Sequence, residues 1–122
     1  AYSKEYFIEY VKNEIARNLP YGKQKLLEIA RAIVAQPKLL LLDEPAAGLN
    51  TKETNELMDI VKNIKDKGIS ILLIEHQMDF VSGLTDRVYV INYGKKIAEG
   101  TFDEIQRDPV VAEAYLGRKG VK

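Results

Sequence analysis

The sequence has no cysteine and no tryptophan, a single histidine and only four prolines. Without cysteine there is neither a disulfide framework nor a thiolate metal site, which agrees with a cytoplasmic protein. An excess of charge of either sign is also missing. Lys plus Arg and Asp plus Glu each number 18, so the formal net charge is zero. A surface that binds nucleic acid in general carries a basic excess, so no nucleic-acid partner is expected. No apolar run approaches the ~20 residues needed to span a bilayer. The opening AYSKEYFIEYVKNE is too charged for a secretory leader, and none is expected. What is present is the make-up of a soluble globular chain: 46% hydrophobic and 30% charged over 122 residues, enough for one small domain.

Periodicity organises the chain. Phe7, Tyr10, Val11 and Ile15 recur at helical spacing and predict a helix over residues 3–18. Leu19-Pro20-Tyr21-Gly22 interrupts it. Leu26, Ile29, Ala30, Ile33 and Val34 then form one apolar stripe, predicting a second helix that stops before Pro37. Leu39 to Leu42 is apolar without alternation, as is Ile71 to Ile74. Strands of that kind are usually covered on both faces, in a parallel sheet flanked by helices. Between them Asn50 and Glu53 have capping-box spacing and open a helix carrying Leu57, Ile60, Val61 and Ile64. Strand, helix, strand is the unit of a parallel crossover.

Downstream, Met78 to Gly83 predicts a short helix, and Arg87–Asn92 with Lys95–Ala98 a hairpin across Tyr93-Gly94. Thr101 with Glu104 repeats the capping-box spacing, and Asp108-Pro109 starts a last helix that ends near Gly117. Two strands buried on both faces need neighbours on both edges. This chain offers two such strands and one hairpin, so it reads as a piece of a larger domain with apolar edges left to self-associate.

Three places carry candidate chemistry. Asp43 and Glu44 end the first apolar strand, where adjacent carboxylates point to opposite sides. One can hold a metal while the other faces a water, a division of labour that suits phosphoryl transfer to water. His76 follows the second apolar strand. If the two strands are parallel neighbours, His76 and Glu44 emerge at one edge, where open α/β sheets bind ligands. Gly22 and Lys23 precede a helix whose N–H groups favour anions. Each has a plainer explanation when taken alone: an acidic strand end, a structural histidine, a glycine turn.

Together they are more specific. LPYGKQKLLEIARAIVAQPKLLLLDEPAAGLN followed by ILLIEH resembles the ATP-hydrolysing domain of ABC transporters. Leu19, Pro20, Tyr21, Gly22, Lys23 and Gln24 match the signature motif, and Leu39 to Glu44 the Walker B strand with its catalytic glutamate. Ala47, Gly48, Leu49 and Asn50 match the D-loop, and His76 the switch histidine. The PYG signature, DEPAAGLN and the closing EAYLG are most similar to the ATPases of branched-chain amino-acid importers.

The resemblance implies an α/β, P-loop NTPase fold of parallel strands with flanking helices and a C-terminal β-hairpin. It implies ATP and Mg²⁺ as cofactors, with Asp43 holding the metal partly through water. Glu44 would polarise the attacking water, and His76 would contact the γ-phosphate. The signature residues would cap a nucleotide bound to the opposite subunit, and the D-loop would run along the dimer interface. The implied partners are a second ATPase subunit and a membrane permease, the implied location the cytoplasmic face of the cell membrane. Residues 1–36 would be a remnant of the helical subdomain and residues 37–122 the C-terminal part of the ATPase core.

Departures from the commoner pattern are Pro20 for the signature serine, Tyr21 for its first glycine, Lys23 for the following glutamine and Asn50 for the D-loop aspartate. They make backbone N–H groups and Lys23 the expected phosphate contacts. The 122 residues contain no G-x-x-x-x-G-K-[ST] phosphate loop. The sequence therefore reads as the C-terminal half of such an ATPase, lacking the Walker A half and inactive by itself. Two alternatives are an ATPase of chromosome or DNA-repair type, against which the absence of a long coiled coil before the signature speaks, and a non-enzymatic interaction module.

Overall fold

A computed structural model describes residues 19–116 of the chain. The helix predicted over residues 3–18 and the stop near Gly117 lie outside the described residues. The chain divides into two compact units, Ala1–Phe80 and Val81–Lys122.

In the first unit, α1 (Tyr21–Val34) buries Leu26, Ile29 and Ala30 on one face. Val34, predicted as part of the stripe, is 64% exposed. The helix closes where Gln36 turns left-handed (φ 53°) and its N–H donates to the Ile33 carbonyl. Strand β1 (Leu39–Asp43) follows. Asn50 then caps α2 (Thr51–Asp66). The Asn50 side chain accepts from the Glu53 N–H at 2.8 Å while the Glu53 carboxylate accepts from the Asn50 N–H at 3.0 Å, so the predicted capping box is formed. Leu57, Ile60, Val61 and Ile64 are all buried along one side of α2. Gly68, at φ 93°, lets the chain turn out of the helix into β2 (Ser70–Ile74).

Strands β1 and β2 pair in parallel, from Leu39 opposite Ser70 to Asp43 opposite Ile74. One face of this pair is covered, with Leu40 and Leu42 buried. The opposite face is not: Leu39, Leu41, Leu72 and Ile74 are each more than half exposed. The expectation that both strands are covered on both faces is therefore met on one face only among the described residues. A run of leucines reads the same whether one layer or two lies against it.

Helix α3 (Met78–Leu84) crosses the boundary between the units. The second unit is built on the antiparallel pair β3 (Val88–Asn92) and β4 (Lys95–Gly100), in register from Val88 opposite Gly100 to Asn92 opposite Lys95, with a bulge between Val90 and Ile91. Tyr93 and Gly94 both have positive φ, 49° and 76°, as a two-residue type I′ hairpin turn requires. Thr101 and Glu104 form the second capping box at the start of α4 (Phe102–Arg107). The Asp108 side chain accepts from the Val110 N–H at 2.8 Å and starts α5 (Pro109–Val111). That helix widens into a π-helical turn over Ala112–Leu116 instead of continuing as a regular α-helix. The Tyr115 hydroxyl donates to the Ile91 carbonyl and ties this turn to β3. Among the described residues no helix is long and apolar enough to cross a membrane.

Candidate active site

Parallel pairing brings the carboxyl ends of β1 and β2 to one edge. The Glu44 N–H extends the ladder by one bond, donating to the Ile74 carbonyl at 2.7 Å. Glu44 itself sits at φ 46°. A side chain in that left-handed region costs on the order of 1–2 kcal/mol, and such strain gathers at functional sites. Beyond it the backbone folds into two overlapping turns, Ala47 N–H to Glu44 carbonyl at 3.1 Å and Leu49 N–H to Ala46 carbonyl at 3.2 Å.

Glu44 and His76 meet at this edge. The His76 Nδ1 lies 2.7 Å from Glu44 Oε1, with the two side chains 68% and 47% exposed. Nδ1–H donating to the carboxylate leaves Nε2 as the other polar atom of the ring. Glu75 joins them, and the ligand atoms of Glu44, Glu75 and His76 fall within 4.8 Å of one another. Glu75 was not singled out from the sequence, where it is one more acid after an apolar strand. In the fold its side chain is wholly buried. Its Oε2 accepts from the Ala46 N–H at 3.3 Å, and its Oε1 from the His76 and Gln77 N–H groups at 3.0 and 3.4 Å.

That donor set counts against Glu75 as a cation ligand. Both Glu75 oxygens are occupied by backbone N–H groups. Asp43 stands exposed at the tip of β1, outside the cluster of three, and is paired with no cation among the described residues. A hard divalent cation such as Mg²⁺ takes one or two carboxylates and completes its shell with phosphates and water; the exposed Asp43 and the second oxygen of Glu44 are the carboxylates left at this edge.

The residues that resemble the signature motif and the D-loop approach each other at Tyr21 and Gly48. Pro20 precedes α1 without any side-chain cap. The Gln24 amide donates to the Leu19 carbonyl at 2.9 Å and fixes the turn. Gly22 is buried, and a Cβ there would stand 2.3 Å from the Glu53 carboxylate that closes the α2 capping box. Gly48, at φ 78°, has the Tyr21 ring against it, 3.1 Å from where a Cβ would be. Lys23 reaches toward α2, its Nζ 4.0 Å from Glu56. An open groove of 280 Å³ runs between α1 and β1, bounded by Lys25, Glu28, Ala32, Asp43 and Pro45. Neither Glu44 nor His76 lines it, so it is separate from the pair.

The family described as ABC transporter matches residues 2–47, and the family described as branched-chain amino acid ATP-binding cassette transporter matches residues 95–120. The high-affinity branched-chain amino acid transport ATP-binding protein LivG of Salmonella typhimurium is 53% identical over 106 residues, covering 86% of this chain and 42% of that protein. BraF of Pseudomonas aeruginosa, of the same description, is 45% identical over 106 residues with the same coverage. The ADP conformation of MJ1267, an ATP-binding cassette of an ABC transporter, superposes with a TM-score of 0.80 at 34% identity, covering 95% of this chain and 49% of that one. The chain thus spans less than half the length of the curated relatives it matches, and the α/β fold with a parallel pair and C-terminal hairpin is that of ABC ATPase domains.

Proposed function

This chain is homologous to the ATP-binding proteins of ABC transporters, and on that premise we propose that it forms the water-activating part of an ATP-hydrolysing subunit that powers branched-chain amino-acid import. The observation that supports this most is the Glu44–His76 pair, 2.7 Å apart at the carboxyl ends of two parallel strands. Glu44 polarises the attacking water. His76, oriented by Glu44, donates to the γ-phosphate from Nε2–H in the form of the ring that carries a proton on both nitrogens. Mg²⁺, when bound with the triphosphate, neutralises charge on the phosphate oxygens; Asp43 is the residue that would hold it, partly through water.

The turn at Leu19 to Gln24 caps a nucleotide held by the opposite subunit, using the N–H groups at the start of α1, with Lys23 adding positive charge. Ala47 to Asn50 follow the interface between the two subunits. Residues 1–36 belong with the helical subdomain and residues 37–122 with the ATPase core. The intact protein works against a membrane permease at the cytoplasmic face. The 122 residues alone carry no phosphate-cradling loop and turn over ATP negligibly. They self-associate through the bare β1–β2 face.

Glu44→Gln in the intact protein tests the reading. Hydrolysis is expected to fall by about 10²-fold or more, with ATP binding retained. Hydrolysis at the wild-type rate would show that another group activates the water.

A further inference from the structure

We propose that Glu75 is a positioning residue that staples the loop after β1 to the loop after β2 and so sets Glu44 and His76 against each other. The proposal rests on the reading of Glu44 and His76 as the hydrolytic pair. Glu75 Oε1 stands 3.9 Å from His76 Nδ1, beyond hydrogen-bond range, and Glu75 has no place of its own in the hydrolytic step; it acts through its two neighbours.

Burial is the first argument. Glu44 and His76 are open to solvent, whereas the side chain of Glu75, the third member of the cluster, is wholly covered. A buried carboxylate is tolerated only when its oxygens are satisfied. Glu75 is satisfied by backbone alone, through the N–H groups of Ala46, His76 and Gln77.

The division of those bonds is the second argument. Oε1 gathers the two N–H groups that follow β2, and Oε2 takes the one that follows β1. The Gln77 side chain closes the ring by donating to the Ala46 carbonyl at 3.3 Å. Ala46 has no exposed surface. One carboxylate and one amide therefore lock two loops, each carrying one member of the pair. The Glu44 carbonyl is held in the same turn, by the Ala47 N–H. A glutamine at position 75 keeps a single acceptor oxygen. It can serve one loop, and it turns an NH₂ toward the N–H of the other.

His76 is the only histidine in the 122 residues, so its ring ¹⁵N signals in the full chain are unambiguous. With the ring neutral, the wild type is expected to show the Nδ1–H form dominant, because Glu44 accepts from Nδ1. Glu75→Gln is expected to move the balance to Nε2–H and to speed amide exchange at Ala46, or at His76 and Gln77, by about tenfold. Amides of Leu57, Val61 and Ile64 in α2 stay protected. An unchanged tautomer balance in a folded Glu75→Gln chain overturns the proposal. If that variant unfolds, Gln77→Ala carries the test: the same tautomer shift, smaller, supports the staple, and no shift overturns it.

In the intact protein, Glu75→Gln is expected to lower kcat by about tenfold to hundredfold while leaving KM for ATP within about twofold. The ring signals read the staple without nucleotide, so they stand or fall separately from the Glu44→Gln result on hydrolysis.

Discussion

His76 Nδ1 and Glu44 Oε1 are 2.7 Å apart, although each is carried on a different strand's trailing loop. Only parallel pairing in this register puts those two loops side by side. Asp43 is opposite Ile74, so the chain leaves both strands at the same level. The contact is between exposed groups and adds little to stability. Its value is orientation: the carboxylate selects the ring tautomer.

His76→Ala is therefore expected to separate activity from folding. Hydrolysis by the intact protein should drop by about 10²-fold, while the urea midpoint moves by no more than about 0.5 kcal/mol in stability. A stability loss of several kcal/mol with activity preserved would make His76 a structural residue.

Gly48→Ala meets two obstacles at once. The backbone is left-handed there (φ 78°), and the Tyr21 ring stands 3.1 Å from the new Cβ. The conformation alone costs about 1–2 kcal/mol. In a Tyr21→Ala background the steric part should vanish and the conformational part remain. Urea unfolding of the four proteins in that cycle measures both, and equal costs in the two backgrounds would show that the ring yields freely.

Acid should loosen the second unit. The Thr101 N–H, and then the Thr101 hydroxyl, hold the Glu104 carboxyl below its ordinary value, and Lys96 followed by Arg87 does the same for Glu99. A carboxylate whose native pKa is depressed contributes stability above its unfolded value, roughly pH 4. That contribution is lost as pH falls through the lower native value. Glu104→Gln preserves the capping geometry without the charge, so it should flatten the fall in stability below about pH 4. A slope identical to wild type would remove Glu104 from the account.

The exposed face of β1 and β2 makes a fourth expectation. Fully burying a leucine or isoleucine is worth roughly 1.5–3 kcal/mol, and Leu39, Leu41, Leu72 and Ile74 leave most of that unrealised. Leu41 and Leu72 are cross-strand partners. Changing them to Lys and Glu together keeps a favourable pair on that face. Light scattering should show the 122-residue chain associating and the double variant monomeric; association undiminished in the variant would place the contact elsewhere.

Much of this was readable in the sequence where the determinant is local. Asn50 with Glu53 and Thr101 with Glu104 announce their capping boxes because a cap is settled within four residues. Gly94 announces a hairpin because a two-residue type I′ turn needs positive φ, which glycine adopts freely and Tyr93 (φ 49°) adopts only at a cost. The meeting of Glu44 and His76 followed from a longer chain of reasoning, that two uninterrupted apolar strands joined by a helix pair in parallel. Glu75 was illegible because its partners are backbone N–H groups of three residues, two of them adjacent and one on another strand's loop. Such partners leave no trace in side-chain identity. The left-handed turn at Glu44 was equally hidden, since glutamate advertises no such preference. So was the uncovered sheet face, because periodicity records that a side chain is apolar and is silent on what lies over it.

The pairing of β1 with β2 acts as a vernier for the chemistry. Sliding one strand along the other by a single residue would displace the histidine from the glutamate by about 3.3 Å along the strand direction and would turn every side chain of the sliding strand to the opposite side. If β1 is the strand that slides, Leu39 and Leu41 move to the covered face and Leu40 and Leu42 leave it, leucine for leucine. Apolar burial therefore does not choose this register, and the catalytic spacing is held by the bonds at the strand ends, from the Glu44 N–H to the Ile74 carbonyl and from the Ala46 N–H to the Glu75 carboxylate.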